Sequence, residues 1–295
     1  MIPAFTRHRA ASSSFALDQL ASAVACAAYS LLRVRSSYAG ACLRVRRSSD
    51  NTESDIGFGS NNKIDQSALL SFVGSGDGYV TKWYDQSGLA LDAYQTTQGA
   101  QPMIVSAGAV TANSAGKTAL KFPGSSGSPT AFLNMPYPAA LAGSGKAWIH
   151  AVGEWVATGN QWNGMVGWGA NPSLQQLALT TWSSASLSTP FNVDFTLSYA
   201  DAAANFAALS TPVILDGFFD GAAINLYANG TKKASSATSR GGVSGVSYIG
   251  AQATSVTGSS NFIGTICEAI AFGTSANSAD LATLAALCAT EYGIA

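Results

Sequence analysis

Carboxylates are the side chains best able to do chemistry in this chain, and they are few: Asp and Glu number 16 among 295 residues. Glu154 and Glu268 fall inside segments with strand character, whereas Asp194, Asp216 and Asp220 fall near strand ends, where acidic residues usually form solvated turns. Asp85 belongs to YVTKWYDQSG (79–88), an aromatic, β-branched run that leads into a turn. There the Asp85 carboxylate is an acceptor for local backbone and Gly88 tolerates positive φ, so the reading is a strand and corner, with a ligand role for Asp85 as the alternative. Histidine is restricted to His8 and His150, which leaves a Ser/His/Asp triad or a histidine metal site little to draw on. His150, beside Trp148 and Ile149, reads as a strand residue rather than a base. Cys26, Cys42, Cys267 and Cys288 lack CxxC spacing; three disulfide pairings are possible, and free buried thiols are an equal alternative. No dense Asp/Asn loop suits calcium. The expectation is therefore no cofactor, no metal site and no catalytic residue.

The elements that must position these residues are mostly strands. Charged residues make up 11% of the chain against about 25% in ordinary soluble domains, and there are 30 glycines. A net charge of -1 gives no electrostatic footprint for nucleic acid. The one basic cluster, Arg33, Arg35, Arg44, Arg46 and Arg47, alternates with Leu43 and Val45 and reads as the solvated or salt-bridged face of a strand. No stretch approaches the roughly 18 apolar residues of a membrane helix.

A short helical turn is expected over 27–35, a helix over 64–73 starting near Asp65, and a closing helix over 279–292 with Gly293 past its end. Strands are expected over 42–47, 79–84, 117–122, 131–135, 148–156, 164–168, 191–199, 211–219, 246–249 and 262–272. Asp220-Gly221 and Asn229-Gly230 bracket a further strand with tight corners. The predicted fold is mainly β: a two-sheet antiparallel β-sandwich with a few short helices and a C-terminal helix, single over 26–295 and preceded by an arm over 1–25.

Two blocks carry a family resemblance. The motifs CAAYS, SSYAG, RVRRSSDN and WYDQSG, in that order over 26–88, resemble the opening of the catalytic domain of family 54 α-L-arabinofuranosidases, a β-sandwich. FIGTICEAIAFG with the closing helix is similar both to that family and to concanavalin-like (laminin-G-like) jelly rolls, to which DGAAINLYANG also points. The opening block is also similar to bacteriophage virion proteins that begin with a Met-Ile-Pro-Ala-Phe-like arm. The enzyme resemblance implies a nucleophilic Glu after an aromatic-Gly-Asn-Ala run and an acid/base Asp after Ile-Gly-Gly. Here Pro172 follows Trp168-Gly169-Ala170-Asn171, and Gln252 follows Ile249-Gly250-Ala251; the family's adjacent cysteine pair is missing as well.

From these substitutions the sequence reading is a non-catalytic virion protein, a tail, fibre or capsid-surface component. It would sit in a multi-copy extracellular particle made in the bacterial cytoplasm. Its arm, with Pro3, Phe5, Arg7, Arg9 and Phe15, would dock on other virion proteins, with host polysaccharide as a further partner and neither nucleic acid nor membrane insertion involved. Two alternatives stand beside it. One is a carbohydrate-binding module in which Trp155, Trp162, Trp168 and Trp182 stack on sugars; the other is an arabinofuranosidase-like glycoside hydrolase.

Overall fold

The computed structural model describes residues 15–123, 131–142, 145–157, 163–170, 177–181, 191–197, 200–238, 245–251, 262–273 and 277–294. Its first strands are β1 (Ala25–Ser30), β2 (Leu43–Arg47), β3 (Glu53–Ile56) and β4 (Gly78–Trp83), with helix α1 (Gln66–Val73) between the last two. Short strands follow: β5 (Ala93–Tyr94), β6 (Met103–Ser106), β7 (Ala109–Val110), β8 (Leu120–Phe122) and β9 (Leu133–Met135). The longer strands are β10 (Ala147–Trp155), β11 (Asn163–Ala170), β12 (Leu177–Thr181), β13 (Phe191–Leu197), β14 (Ala200–Ala207), β15 (Val213–Phe219), β16 (Ala223–Ala228) and β17 (Thr231–Ala237). β18 (Val246–Ile249), β19 (Gly264–Phe272) and helix α2 (Ser278–Tyr292) close the chain.

All the strand pairings are antiparallel, and the sheet forks at β4. One edge of β4 pairs with β2; the other pairs with β5 at Lys82–Trp83 and with β6 at Gly78–Tyr79. From β6 one layer runs through β8, β19, β10, β15, β16 and β17, with β1 beside β8 on the same edge of β19. From β5 the other layer runs through β9, β18, β11, β12, β13 and β14. β14 packs against β17 at the far side, so the two layers enclose one apolar core that includes Trp83, Trp155, Trp168, Ile149, Ile266 and Leu215.

The first layer is covered on both faces, because α2 packs Leu281, Leu284, Ala285 and Cys288 against Trp148, Val152, Ile214 and Ile270. This explains why every residue of β10 and of β19 is buried, a run that a half-solvated strand could not sustain.

The local signals work as the residue types require. Asp65 caps α1 by accepting from Ala68 N (2.9 Å), and Asn277 caps α2 by accepting from Ala279 N and Asp280 N. Asn229 and Gly230 both take positive φ, 49° and 73°, the geometry of a tight hairpin corner. Of the turn expected over 27–35, residues 27–30 belong instead to strand β1, whose small residues let it lie along β19 with all six buried, and 31–35 form no helix. The basic cluster is salt-bridged at Arg44–Asp55 (2.7 Å) and Arg47–Asp50 (2.6 Å), while Arg46 lies over the Tyr79 ring. All four cysteines are buried thiols, not joined in disulfides. No helix of the described residues is long and apolar enough to cross a membrane.

Candidate functional site

The WYDQSG corner is a clasp. Asp85 Oδ1 accepts from Ala28 N and Ser87 N (both 2.8 Å), and Oδ2 accepts from Ser87 Oγ (2.6 Å) and Leu91 N (3.0 Å). Next to it, buried Gln86 accepts from Val34 N through Oε1 and donates through Nε2 to the carbonyls of Ser30 and Leu32. The pair therefore fixes β1 and the chain beyond it, and so sets where Ser30 points. Asp85 is spent on backbone.

What Ser30 meets is a polar cluster sealed between the first layer and α2. Ser30 Oγ donates to Glu268 Oε2 (2.5 Å), which also accepts from Tyr292 OH (3.0 Å). Glu268 Oε1 lies 3.4 Å from His150 Nε2 and 3.4 Å from Cys288 Sγ, and that sulfur is 3.6 Å from the same nitrogen. On the other side of the ring, His150 Nδ1 is 2.7 Å from Asp216 Oδ1, which also accepts from Trp148 Nε1 (2.8 Å). His150, Asp216 and Glu268 are wholly buried, and Trp148 stacks on Phe272 beside them with ring centroids 4.0 Å apart.

The register explains the meeting: His150 pairs with Asp216 across β10–β15, and Val152 pairs with Glu268 across β10–β19. Burial alone would discharge the imidazole, but Asp216 and Cys288 outweigh it and hold its pKa well above the ordinary value. Burial likewise pushes Glu268 up, and hydrogen bonds from His150, Ser30 and Tyr292 bring it below the usual carboxylate value. Burial, then the Glu268 charge, push the Cys288 thiol up to about 12.

Two other acids named from sequence, Glu154 and Asp220, are also occupied. Glu154 is buried beside a cavity of about 520 Å³, and it accepts from Ser114 N (2.9 Å), Ser114 Oγ (2.6 Å) and Thr265 Oγ1 (3.4 Å). Asp220 accepts from Ala222 N and Ala223 N and shapes its own corner. Asp194 lies on β13 at a position paired with Thr180 of β12 and Ala203 of β14.

Trp155 and Trp168 are fully buried core residues, so their rings pack inside the sandwich rather than line a sugar groove. Trp162 and Trp182 lie outside the described residues, as do Pro3, Phe5, Arg7 and Arg9. Phe15 is half-buried on its own chain, with the Arg33 guanidinium 4.8 Å from its ring centroid. The stretch behind it also folds back: Asp280 of α2 accepts from the backbone of Ala21, Ser22 and Ala23.

A different aromatic surface emerges on the second layer. Lys82, Tyr94, Asn134, Tyr248 and Gly167 lie in one transverse register row across β4, β5, β9, β18 and β11. The neighbouring row, Trp83, Ala93, Leu133, Ile249 and Val166, is buried, which places the first row on the outward face. Tyr94 is 45% exposed, and Phe132 stands edge-on to Tyr248 with ring centroids 5.5 Å apart. Sequence reading missed this face because its residues come one per strand from distant segments. The two motif positions suggested by the family resemblance follow β11 and β18, which are neighbouring strands; residues 171–176 and 252–261 lie outside the described residues.

The comparisons with known proteins bear on the sequence reading directly. The sequence profile of the alpha-L-arabinofuranosidase B catalytic domain matches residues 18–132. A family 54 α-L-arabinofuranosidase soaked with a cyclic sulfate inhibitor superposes with a TM-score of 0.67 at 15% identity, covering 92% of this chain and 63% of that one. An arabinofuranosidase complexed with arabinofuranosyl-alpha-1,2-xylobiose gives 0.66 at 16% identity with the same coverage. Trypanosoma rangeli sialidase in complex with sialic acid gives 0.51 at 16% identity, over 71% of this chain and 31% of that one. No curated protein matches. The chain spans about 63% of the length of the arabinofuranosidases it resembles. These findings overturn the expectation of a non-catalytic virion protein: its bacteriophage and concanavalin-like parts find no support in them, and its rejection of an enzyme rested on motif positions in the poorly matching half of the chain. In its opening block and in its fold, the chain is similar to the catalytic domain of the family 54 α-L-arabinofuranosidases.

Proposed function

We propose that this chain is a glycoside hydrolase domain of the α-L-arabinofuranosidase kind, releasing a terminal pentofuranosyl group from a glycan. The observation that carries this reading is the family-profile match over 18–132, in which the Asp85–Gln86 clasp falls. The outward strip of exposed Tyr94 and half-buried Asn134 and Tyr248 supports it as a sugar-contacting face, since flat aromatic rings beside an amide suit the apolar faces and hydroxyls of a sugar.

The reaction needs two carboxyl groups, about 5–5.5 Å apart in a retaining enzyme and about 6.5–9.5 Å apart in an inverting one. Segments 171–176 and 252–261 contain no Asp or Glu, so the pair must come from elsewhere. Asp194 and Asp201 are our assignment. Asp194 pairs with Ala203 and Thr196 with Asp201 across β13–β14, which makes the two aspartates diagonal neighbours, a backbone spacing of about 7–8 Å. Asp201 also shares the transverse row that contains Tyr248, through Gly167, Ala178 and Thr196.

The test is release of 4-nitrophenol from 4-nitrophenyl α-L-arabinofuranoside. Asp194→Asn and Asp201→Asn should each lower kcat by about 10²–10⁴-fold, and Tyr248→Ala should raise KM. Turnover by the native protein no faster than the rate in buffer alone would refute the hydrolase reading. Full activity in both single variants would refute only the acid assignment.

A further inference from the structure

We propose that His150, Glu268 and Cys288 bind a zinc ion that fastens α2 to strands β10 and β19. Their donor atoms form a triangle with edges of 3.4 Å (Nε2 to Oε1), 3.6 Å (Nε2 to Sγ) and 3.4 Å (Oε1 to Sγ). A tetrahedral zinc with bonds of about 2.0–2.1 Å to nitrogen, about 2.0–2.2 Å to oxygen and about 2.3 Å to sulfur requires edges of about 3.4, 3.6 and 3.6 Å. The three side chains thus already form one face of a zinc tetrahedron, with no backbone movement needed.

The outer contacts are those that such a site needs. Asp216 holds the Nδ1 side of His150, which leaves Nε2 as the ligating nitrogen, and Trp148 in turn holds Asp216. Ser30 and Tyr292 occupy Glu268 Oε2, which leaves Oε1 for the metal. Glu268 and Cys288 both line a cavity of about 320 Å³, with room for a water as fourth ligand. A sulfur, an imidazole and one carboxylate favour zinc over calcium or magnesium, which prefer oxygen alone. Binding releases two protons to solvent, one from Nε2 of the charged His150 and one from the Cys288 thiol; thiolate and carboxylate together balance the dication.

The measurement is a titration of the reduced, chelator-treated full chain with Co²⁺, followed by displacement with Zn²⁺. One equivalent of cobalt should bring up the intense visible bands of tetrahedral coordination together with a thiolate-to-metal charge-transfer band. Both should vanish when zinc is added, and zinc should raise the melting temperature. Cys288→Ser should lose the charge-transfer band, while Cys42→Ser, also buried, should keep it. Zinc K-edge absorption on the native protein decides independently of whether the Ser variant folds: one sulfur among lighter N/O scatterers is expected. Absence of cobalt bands and of any zinc-induced stabilisation, a charge-transfer band that survives Cys288→Ser, or a zinc shell without sulfur would each overturn the proposal and leave the three contacts as a metal-free hydrogen-bond network. None of these readouts depends on sugar hydrolysis.

Discussion

Removing the Asp85 carboxylate tests whether the most recognisable motif of the chain acts through stability. Asp85 is 3% exposed and accepts four hydrogen bonds, three of them from the backbone of Ala28, Ser87 and Leu91. Asp85→Ala leaves those N–H groups without an acceptor. Each buried orphan costs about 1–3 kcal/mol: Ala28, with no exposure, stands at the upper end, Ser87 in the middle, and Leu91, reachable by water, at the bottom. The sum is about 6 kcal/mol, which for a domain of this size lowers Tm by about 12–24 °C. Asp85→Asn retains one acceptor oxygen but turns an amide NH₂ toward donors, so its loss should fall between that of Ala and zero. Urea unfolding followed by circular dichroism measures this, with an unchanged slope marking a two-state comparison. Asp50→Ala, which removes an exposed ion pair with Arg47, should leave the midpoint in place. A loss below about 1 kcal/mol for Asp85→Ala, with the slope preserved, would refute the clasp reasoning.

Two further perturbations test how the ends of the second layer and the start of the described chain are held. Gly250 has φ 83°, and a Cβ there would stand 2.3 Å from Phe122 Cδ1, so Gly250→Ala should cost at least about 2 kcal/mol in urea unfolding. Phe122→Leu should recover part of that cost in a double-mutant cycle, and strict additivity would place the whole penalty in the backbone. Asp280 is buried, which pushes its pKa up, but donation from Ser22 Oγ and from the backbone of Ala21, Ser22 and Ala23 brings it below 3.8. Its contribution is therefore complete above pH 3.8 and is lost as pH falls through the lower folded value. Hydrogen exchange at residues 21–23 should accelerate in that acid window for the native protein and be fast at every pH in Asp280→Ala; equal acid sensitivity in both would refute the attachment.

Most of the architecture is legible in the residues because strand and helix signals are local. Asp65 and Asn277 sit where cap chemistry predicts, and Asn229-Gly230 forms the corner its dipeptide demands. The turn expected over 27–35 gives way to strand over 27–30 because small or aromatic residues without alternation fit a helical turn as well as a strand buried on both faces. The same ambiguity hid the tryptophans, since an indole in a strand is written identically whether its ring meets a core or a groove; Trp155 and Trp168 are resolved only by their burial.

The polar cluster was beyond sequence reading for a stronger reason. His150, Asp216, Glu268 and Cys288 lie on four separate elements, up to 138 residues apart, with no spacing rule to join them. Their meeting depends on β10 lying between β15 and β19, and on α2 covering that layer. Each acid read alone on its strand is a solitary buried charge, which is unfavourable without a partner. That cost was itself the available signal: Glu268 in a run of nine buried residues implies a cation or a set of donors facing it across the layer, and His150, one of two histidines in the chain, is the cation that the topology supplies.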